Sequence, residues 1–183
     1  MSRMIDKLKV FIRHLWLDAS DTERAIPPDM LQRLAQRVAA SERRHSGEIR
    51  ICVEAALPLS YLWRLGEKCP MRALTRQRAL MMFGKLRVWD TEHNNGVLIY
   101  LLLAEHAIEI VADRGLSQHV SPAQWQAMLV YMSSAFKAGR YENGLSEALE
   151  ESSAVLMRHF AIDASQDGQP LTPNELPDNP LLL

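Results

Sequence analysis

The chain has 183 residues, a hydrophobic fraction of 48%, a charged fraction of 23% and a formal net charge of −1. This length is enough for one domain with a substantial core, and the balanced charge gives no overall field that would attract nucleic acid. Two cysteines are too few for a disulfide framework, and no stretch has the roughly 18 apolar residues that a membrane-spanning helix needs. We therefore expect an ordinary soluble protein of the cytoplasm that does not bind nucleic acid.

Residues 1–20 are predicted to form a basic amphipathic helix ahead of the main domain. The apolar residues at helical spacing are Met1, Met4, Ile5, Leu8, Phe11, Ile12, Leu15 and Trp16. Lysine and arginine occupy the polar side of this helix, and no small-residue cleavage site follows it, so we do not expect a signal peptide. Two interpretations stay open: the apolar stripe packs on the domain, or residues 1–16 contact a membrane surface or a partner.

Residues 48–103 are predicted to form a strand, a helix and a second strand. Residues 27–29 have the composition of a helix start and residues 46–47 that of a helix end, so a helix is expected between them. Residues 48–55 then alternate apolar and polar side chains, as a strand does. A further helix is expected from about residue 71 to residue 86. Because a helix would cross over between them, we expect the strands at 48–55 and 97–103 to be parallel.

The segment from Trp89 to Gly115 is the most informative part of the chain. Residues 97–103 form an unbroken apolar run, and residues 107–112 alternate apolar and polar positions, which together predict a β-hairpin. A hairpin places the residues before its first strand beside the residues after its second strand. We therefore expect the loop 90–95 to lie next to residues 113–115 at one edge of the sheet.

The C-terminal part of the chain divides into two helices and a tail. Ser121-Pro122-Ala123-Gln124 has the composition of a helix start, and another helix is expected from about Glu142 to Phe160. Residues 162–183 contain four prolines and acidic residues without balancing bases, which predicts a flexible acidic tail. The terminal leucines 181–183 are a candidate docking peptide.

The polar residues at the predicted sheet edge are the candidate binding site. They are Asp90, Thr91, Glu92, His93, Asn94, Asn95, Asp113 and Arg114. Such oxygen-rich clusters suit Ca²⁺ or Mg²⁺, with Asp90, Glu92 and Asp113 as the candidate metal ligands. Alternatively, the cluster positions a phosphate on the forked guanidinium of Arg114. A structural interpretation is also open, in which the Asn-Gly pair forms a turn and Asp113 caps the turn after the second strand.

No residue is assigned a catalytic role from motifs. The sequence lacks a glycine-rich phosphate loop, a nucleophile elbow, an HExxH pair and paired CxxC motifs.

The order and spacing of several segments resemble the TPM domain family, which includes a thylakoid-lumen acid phosphatase-like protein. The resemblance covers residues 29–161 and rests on Asn95-Gly96-Val97-Leu98-Ile99, on Glu109-Ile110, on Arg114-Gly115-Leu116, on the strand after Gly47 and on the helix pair around Gly139 and Gly144. It implies a Rossmann-like αβα sandwich with a small mixed sheet flanked by helices, here with an extra N-terminal amphipathic helix. It also implies an acidic site at one sheet edge, linked in some relatives to divalent metal, and roles in phosphatase chemistry or in the assembly and maintenance of membrane complexes.

The chain departs from the family pattern in ways that indicate a cytosolic branch. We expect neither a signal peptide nor a membrane tail, and Ser121-Pro122 stands where an aspartate would open the helix after the hairpin. The loop before the first hairpin strand is also enlarged.

Two functions are therefore considered. The first is a non-catalytic cytoplasmic interaction domain that needs no cofactor. It would hold a protein partner, and act in assembly or maintenance of a membrane-associated complex, through the 90–95/113–115 edge and residues 1–16. The second is a divalent-metal-assisted acid phosphatase. In that function Asp90, Glu92, Asn95 and Asp113 would hold Ca²⁺ or Mg²⁺, and Arg114 would steady the phosphate oxygens.

Overall fold

The computed structural model describes residues 2–162 and 174–183, which form helices on both sides of a four-stranded sheet of order β3-β2-β1-β4. The strands are β1 (Ile49–Glu54), β2 (Val97–Leu102), β3 (Ala107–Ala112) and β4 (Leu181–Leu182). The predicted αβα sandwich with a small mixed sheet is confirmed.

The helices divide between the two faces of this sheet. Their bounds are α1 (Ser2–Trp16), α2 (Ala19–Ala25), α3 (Pro28–Glu42), α4 (Leu59–Leu62), α5 (Met71–Lys85), α6 (Arg114–Ser117), α7 (Pro122–Lys137) and α8 (Tyr141–Phe160). Helices α3, α7 and α8 form one core with residues such as Ile99, whereas α4 and α5 form the other with residues such as Leu98. Both faces of β2 are therefore covered, which explains why its sequence is apolar without alternation.

The predicted strand pairings are confirmed. Strand β1 runs parallel to β2, starting with Ile49 opposite Val97, and α5 lies between the two strands in the chain. Strands β2 and β3 form the antiparallel hairpin, from Val97 opposite Ala112 to Leu102 opposite Ala107. Local side-chain periodicity was sufficient for these predictions because β1, β2 and β3 pair in chain order.

The prediction of a flexible tail over 162–183 is wrong for residues 174–183, while residues 163–173 lie outside the described residues. Strand β4 pairs in parallel with β1, placing Leu181 opposite Cys52 and Leu182 opposite Val53. The Leu183 N–H donates to the Val53 carbonyl at 2.9 Å. The terminal leucines therefore dock on the chain's own sheet, because the outer edge of β1 offers unpaired backbone groups.

Helix α1 is confirmed, but most of its apolar stripe does not pack on the domain. The exposed fractions are 48% for Ile5, 59% for Leu8, 46% for Ile12, 60% for Leu15 and 83% for Trp16. Within residues 2–162 and 174–183, no helix has the length and apolar character needed to cross a membrane.

Specific polar contacts set this orientation of α1. His14 is buried, and its Nδ1 accepts the Leu57 N–H at 3.0 Å while its Nε2 lies 3.0 Å from a Glu105 carboxylate oxygen. Arg13 pairs with the same carboxylate. Phe11 packs on the core containing α5. Because these anchors lie on one side of α1, the remaining stripe is left exposed.

Candidate functional site

The structure brings the loop 90–95 and residues 113–115 together, as predicted. The Asp113 N–H donates to the Gly96 carbonyl at 2.9 Å, and the Gly115 N–H donates to the Asn94 carbonyl at 2.9 Å. The Arg114 Nε donates to Asn94 Oδ1 at 2.8 Å. Backbone and side-chain hydrogen bonds therefore hold residues 94–96 against residues 113–115.

Two glycines are required for this close approach. A Cβ at Gly96 would lie 1.9 Å from the Val88 carbonyl oxygen, and a Cβ at Gly115 would lie 2.5 Å from the Asn94 oxygen. Asn94 itself has a φ of 52°, in the left-handed region that asparagine tolerates better than most residues. The asparagine-glycine and arginine-glycine steps thus reflect the local packing of the edge.

Several of the predicted site residues have structural roles. Thr91 Oγ1 accepts the Asn95 N–H at 3.1 Å, and the fully buried Asn95 donates through Nδ2 to Ser46 Oγ at 3.2 Å. Asp113 Oδ1 accepts the Arg114 N–H at 2.7 Å and caps α6. These bonds match the turn and cap chemistry of the structural interpretation.

Two buried oxygen atoms at this edge remain unsatisfied. Among the residues that the structure describes, Asn95 Oδ1 and Asp113 Oδ2 have no hydrogen-bond partner. A buried acceptor without a partner costs on the order of 1–3 kcal/mol. A cation or a water molecule that contacted these oxygens would remove that cost.

The predicted carboxylate ligand set is not assembled. Asp90, Glu92 and His93 are exposed, whereas Asp113 is buried at the start of α6. In the described parts of the chain, no group of three or more histidine, cysteine, aspartate or glutamate residues is placed to hold a metal ion. The reason is local: the Asn94 N–H donates to the Thr91 carbonyl, which closes a turn around Glu92 and His93, while Asp113 is engaged in capping α6. The described side chains therefore do not form the three-carboxylate group, although two buried oxygens at this edge lack a hydrogen-bond partner.

An acidic cluster next to this edge was missed in the sequence. Glu42 Oε1 accepts the Ile49 N–H at 2.8 Å, and Glu48 Oε2 accepts the Leu176 N–H at 3.2 Å. Burial raises the pKa of Glu42 to about 8, and the charges of Glu48 and Asp178 add to that increase. Burial also raises the pKa of Glu48.

The C-terminal segment connects this acidic cluster to the candidate site by hydrogen bonds. The Glu92 N–H donates to the Glu175 carboxylate, with N···O distances of 3.1 and 3.2 Å. The sequence shows that the tail carboxylates have no basic residues beside them within residues 162–183, but no local pattern indicated that the tail returns to β1.

Comparison with known proteins supports a family assignment. The family model described as TPM domain matches residues 19–155. The NMR structure of the BA42 protein from the psychrophilic bacterium Bizionia argentinensis is similar in fold, with a TM-score of 0.67 and 22% sequence identity. That likeness covers 85% of this chain and 94% of the BA42 chain. No curated protein sequence matches this chain.

Proposed function

This chain belongs to the TPM domain family, and from that premise we propose that it is a non-catalytic cytoplasmic interaction domain that docks on an anionic membrane surface through α1. There it acts in the assembly or maintenance of a membrane-associated complex. The edge formed by residues 90–95 and 113–115 holds a protein partner in that complex. This function needs no cofactor.

The exposed apolar face of α1 is the observation that carries this proposal. Ile5, Leu8, Ile12 and Leu15 recur at intervals of three and four residues and are all close to half exposed or more. Contiguous exposed apolar surface of this kind is typical of interaction sites. Because His14 and Phe11 anchor α1 on the domain, the face is presented in a fixed orientation.

A neighbouring aromatic residue extends this face beyond α1. The Trp63 ring lies 5.4 Å from the Phe11 ring, and Trp63 is 73% exposed. Leu59, in the same helical turn as Trp63, is 45% exposed. We name the combined surface of Ile5, Leu8, Ile12, Leu15, Trp16, Leu59 and Trp63 the α1 patch.

The composition around the α1 patch favours a lipid surface. Lys9 is exposed beside the apolar stripe, and the Arg13 side chain is 46% exposed there while it pairs with Glu105. Apolar helices with lysine and arginine at their margins bind the interface of anionic membranes, where tryptophan side chains are also favoured. Trp16 and Trp63 supply two such side chains.

Sedimentation with lipid vesicles tests the proposed docking. We expect the protein to bind vesicles that contain phosphatidylglycerol and to bind phosphatidylcholine vesicles much more weakly. The double variant Leu8→Ser/Ile12→Ser should lower the affinity by about tenfold or more, because two large apolar side chains no longer enter the lipid. Leu80→Ser is the matched control, since Leu80 is 48% exposed on α5, outside the α1 patch.

Three outcomes would contradict the membrane proposal. They are no binding to the anionic vesicles, equal binding by the double variant, and equal loss in the Leu80→Ser control. A concentration-dependent dimer that the double variant abolishes, without vesicle binding, would instead assign the α1 patch to a second copy of the chain.

The divalent-metal-assisted acid phosphatase is the second candidate function. The unsatisfied oxygens of Asn95 and Asp113 favour it, because both are buried acceptors at the candidate site. For this function we expect Ca²⁺ or Mg²⁺ to raise the melting temperature and to be needed for phosphate-ester hydrolysis.

Asp113→Asn separates the two candidate functions. Asparagine is also a good helix N-cap, so the variant keeps the α6 cap while it loses the carboxylate charge. A phosphatase should lose both metal stabilisation and hydrolysis in this variant, whereas Glu23→Gln, at an exposed carboxylate on α2 outside the candidate site, should retain both. If neither metal nor Asp113→Asn changes stability or turnover, the phosphatase function is wrong.

A further inference from the structure

We propose that a groove beside the outer edge of β3 binds a small amphiphilic anion, one with a carboxylate or phosphate head and an apolar body. The groove has a volume of 470 Å³ and lies between the first turns of α5 and α7. This volume is within the range of about 300–1,000 Å³ that is usual for small-molecule sites. This groove is separate from the α1 patch, and its proposed ligand does not depend on whether the 90–95/113–115 edge binds a metal ion.

Two arginines supply positive charge to the groove. Arg72 and Arg76 both come from the first half of α5 and both line it. Arg76 Nη1 donates to the Ile110 carbonyl at 2.6 Å and to Glu109 Oε2 at 3.2 Å. These bonds hold the guanidinium in place, and its side chain is still 41% exposed. Arg76 is therefore a positioned donor at the groove and not only a partner of Glu109.

The buried carboxyl of Glu109 does not cancel both arginines. Burial raises its pKa, and the nearby charges of Arg76 and Arg72 oppose that increase. Among the described residues that line the groove, one carboxyl group accompanies two guanidinium groups. The charges of these lining residues therefore sum to a net positive value.

The start of α5 adds further positive potential. Pro70 precedes this 15-residue helix, makes no side-chain cap, and is followed by a first turn without an acidic residue. The N-terminus of such a helix carries a partial positive charge. Pro70, Arg72 and Ala73 line the groove, so this helix end lies at it.

An independent observation points to a ligand in the same place. Trp125 lines the groove and is 6% exposed, and its Nε1 has no hydrogen-bond partner among the described residues. A buried indole N–H usually finds an acceptor. The head group of a bound anion would supply one.

The lining of the groove favours a small ligand over an added β-strand. Strand β3 is at the edge of the sheet, and its outward carbonyls at Ile110 and Ala112 already accept hydrogen bonds from Arg76 and from Ser117 Oγ. An added strand would have to displace both donors. Ile110 and Val120 line the groove and provide apolar contact for the body of the ligand.

Titration with octanoate, followed by NMR of the tryptophan indole N–H signals, tests this proposal. The Trp125 signal is the one of the four indole signals that is missing in Trp125→Phe, and octanoate should shift it in a saturable manner. Octanol and inorganic phosphate should each bind at least about tenfold more weakly than octanoate. Octanol lacks the anionic head, and inorganic phosphate lacks the apolar body.

Two variants separate the charge from the shape of the groove. Arg72→Gln should weaken octanoate binding about tenfold, because it removes one charge-assisted contact. Arg43→Gln, at another exposed arginine outside the groove, should leave the affinity unchanged. Ala73→Leu should also weaken binding, because it narrows the groove while leaving its charge intact.

The proposal is wrong if octanoate does not shift the Trp125 signal, or if octanol binds as tightly as octanoate. Equal affinity in Arg72→Gln and Arg43→Gln would also overturn it. Inorganic phosphate bound as tightly as octanoate would overturn the apolar half of the site.

Discussion

The two ends of β1 hold buried glutamates in opposite electrostatic environments. At the C-terminal end, Glu54 is 5% exposed and accepts hydrogen bonds from Arg78 Nε at 2.8 Å and from the Tyr100 hydroxyl at 2.5 Å. The Arg78 side chain is only 12% exposed. Burial opposes its charge, but its hydrogen bonds to Glu54 prevail and raise its pKa. This end of the strand contains a compensated ion pair.

At the N-terminal end, the glutamates face other carboxyl groups. Glu42 and Glu48 lie near Asp178, and burial raises the pKa of both glutamates. Arg50 is nearby, but its guanidinium donates to the carbonyls of Pro177 and Asn179. The comparison shows that one end of β1 is built for a fixed charge, whereas the other is sensitive to protonation and holds the C-terminal segment.

Of the substitutions at the two ends of β1, removal of Arg78 should change the free energy of unfolding most. Arg78→Met leaves Glu54 buried without its cation, so we expect a loss of about 3–5 kcal/mol in the free energy of unfolding. Urea denaturation at neutral pH measures this loss. Arg64→Met is the matched control, because Arg64 is exposed and lies over the same Tyr61 ring as Arg78, at 5.6 and 5.5 Å respectively.

A second substitution distinguishes charge from packing at this end. In Arg78→Met/Glu54→Gln the uncompensated charge is gone and the amide oxygen still accepts from Tyr100, so most of the lost stability should return. If the double variant is as unstable as Arg78→Met, the loss comes from packing of the arginine and not from the isolated carboxylate.

Neutralising Glu42 should have a smaller effect with the opposite sign. The pKa of Glu42 is about 8 in the folded protein against an ordinary value of 4.5, so the folded state favours the protonated form. Its contribution to stability is complete below pH 4.5 and is lost as the pH rises towards 8. Glu42→Gln keeps the acceptor for the Ile49 N–H, and should therefore stabilise the protein at pH 8 by on the order of 1–2 kcal/mol.

The pH dependence of that gain is the decisive measurement. The difference between Glu42→Gln and the parent protein should disappear near pH 4, as followed by urea denaturation across this range. Burial lowers the pKa of His45 to about 4, which reduces stability as the pH falls below 6.5, but this slope is common to both proteins and cancels. Exposed Glu23→Gln is the control. A gain that does not change with pH would show that the Glu42 carboxyl is not the titrating group.

The candidate site was predictable in its position but not in its chemistry. The hairpin required the loop 90–95 to meet residues 113–115, and the hydrogen bonds of Asn94 bear this out. The orientation of the candidate carboxylates was not predictable, because proximity along the backbone does not determine whether Asp90 and Glu92 turn towards Asp113 or towards solvent. The buried Asn95 oxygen, which has no partner among the described residues, could be recognised only once the packing around Ser46 was known.

The sequence by itself determined the elements whose partners are neighbours in chain order. The apolar run of β2, the alternation in β1 and β3, and the capping box at Ser121 each depend on local backbone geometry and local burial, so their pattern is present in the residues themselves.

Only the tertiary structure decided which surfaces remained for the other segments to fill. The terminal leucines add β4 because the outer edge of β1 is unpaired, and α1 leaves its apolar stripe exposed because His14 finds its partners at Leu57 and Glu105. The groove beside β3 likewise arises from the meeting of α5 and α7 at one sheet edge. These arrangements depend on contacts between distant parts of the chain, and the free energy of such contacts is set by the assembled core and not by local periodicity.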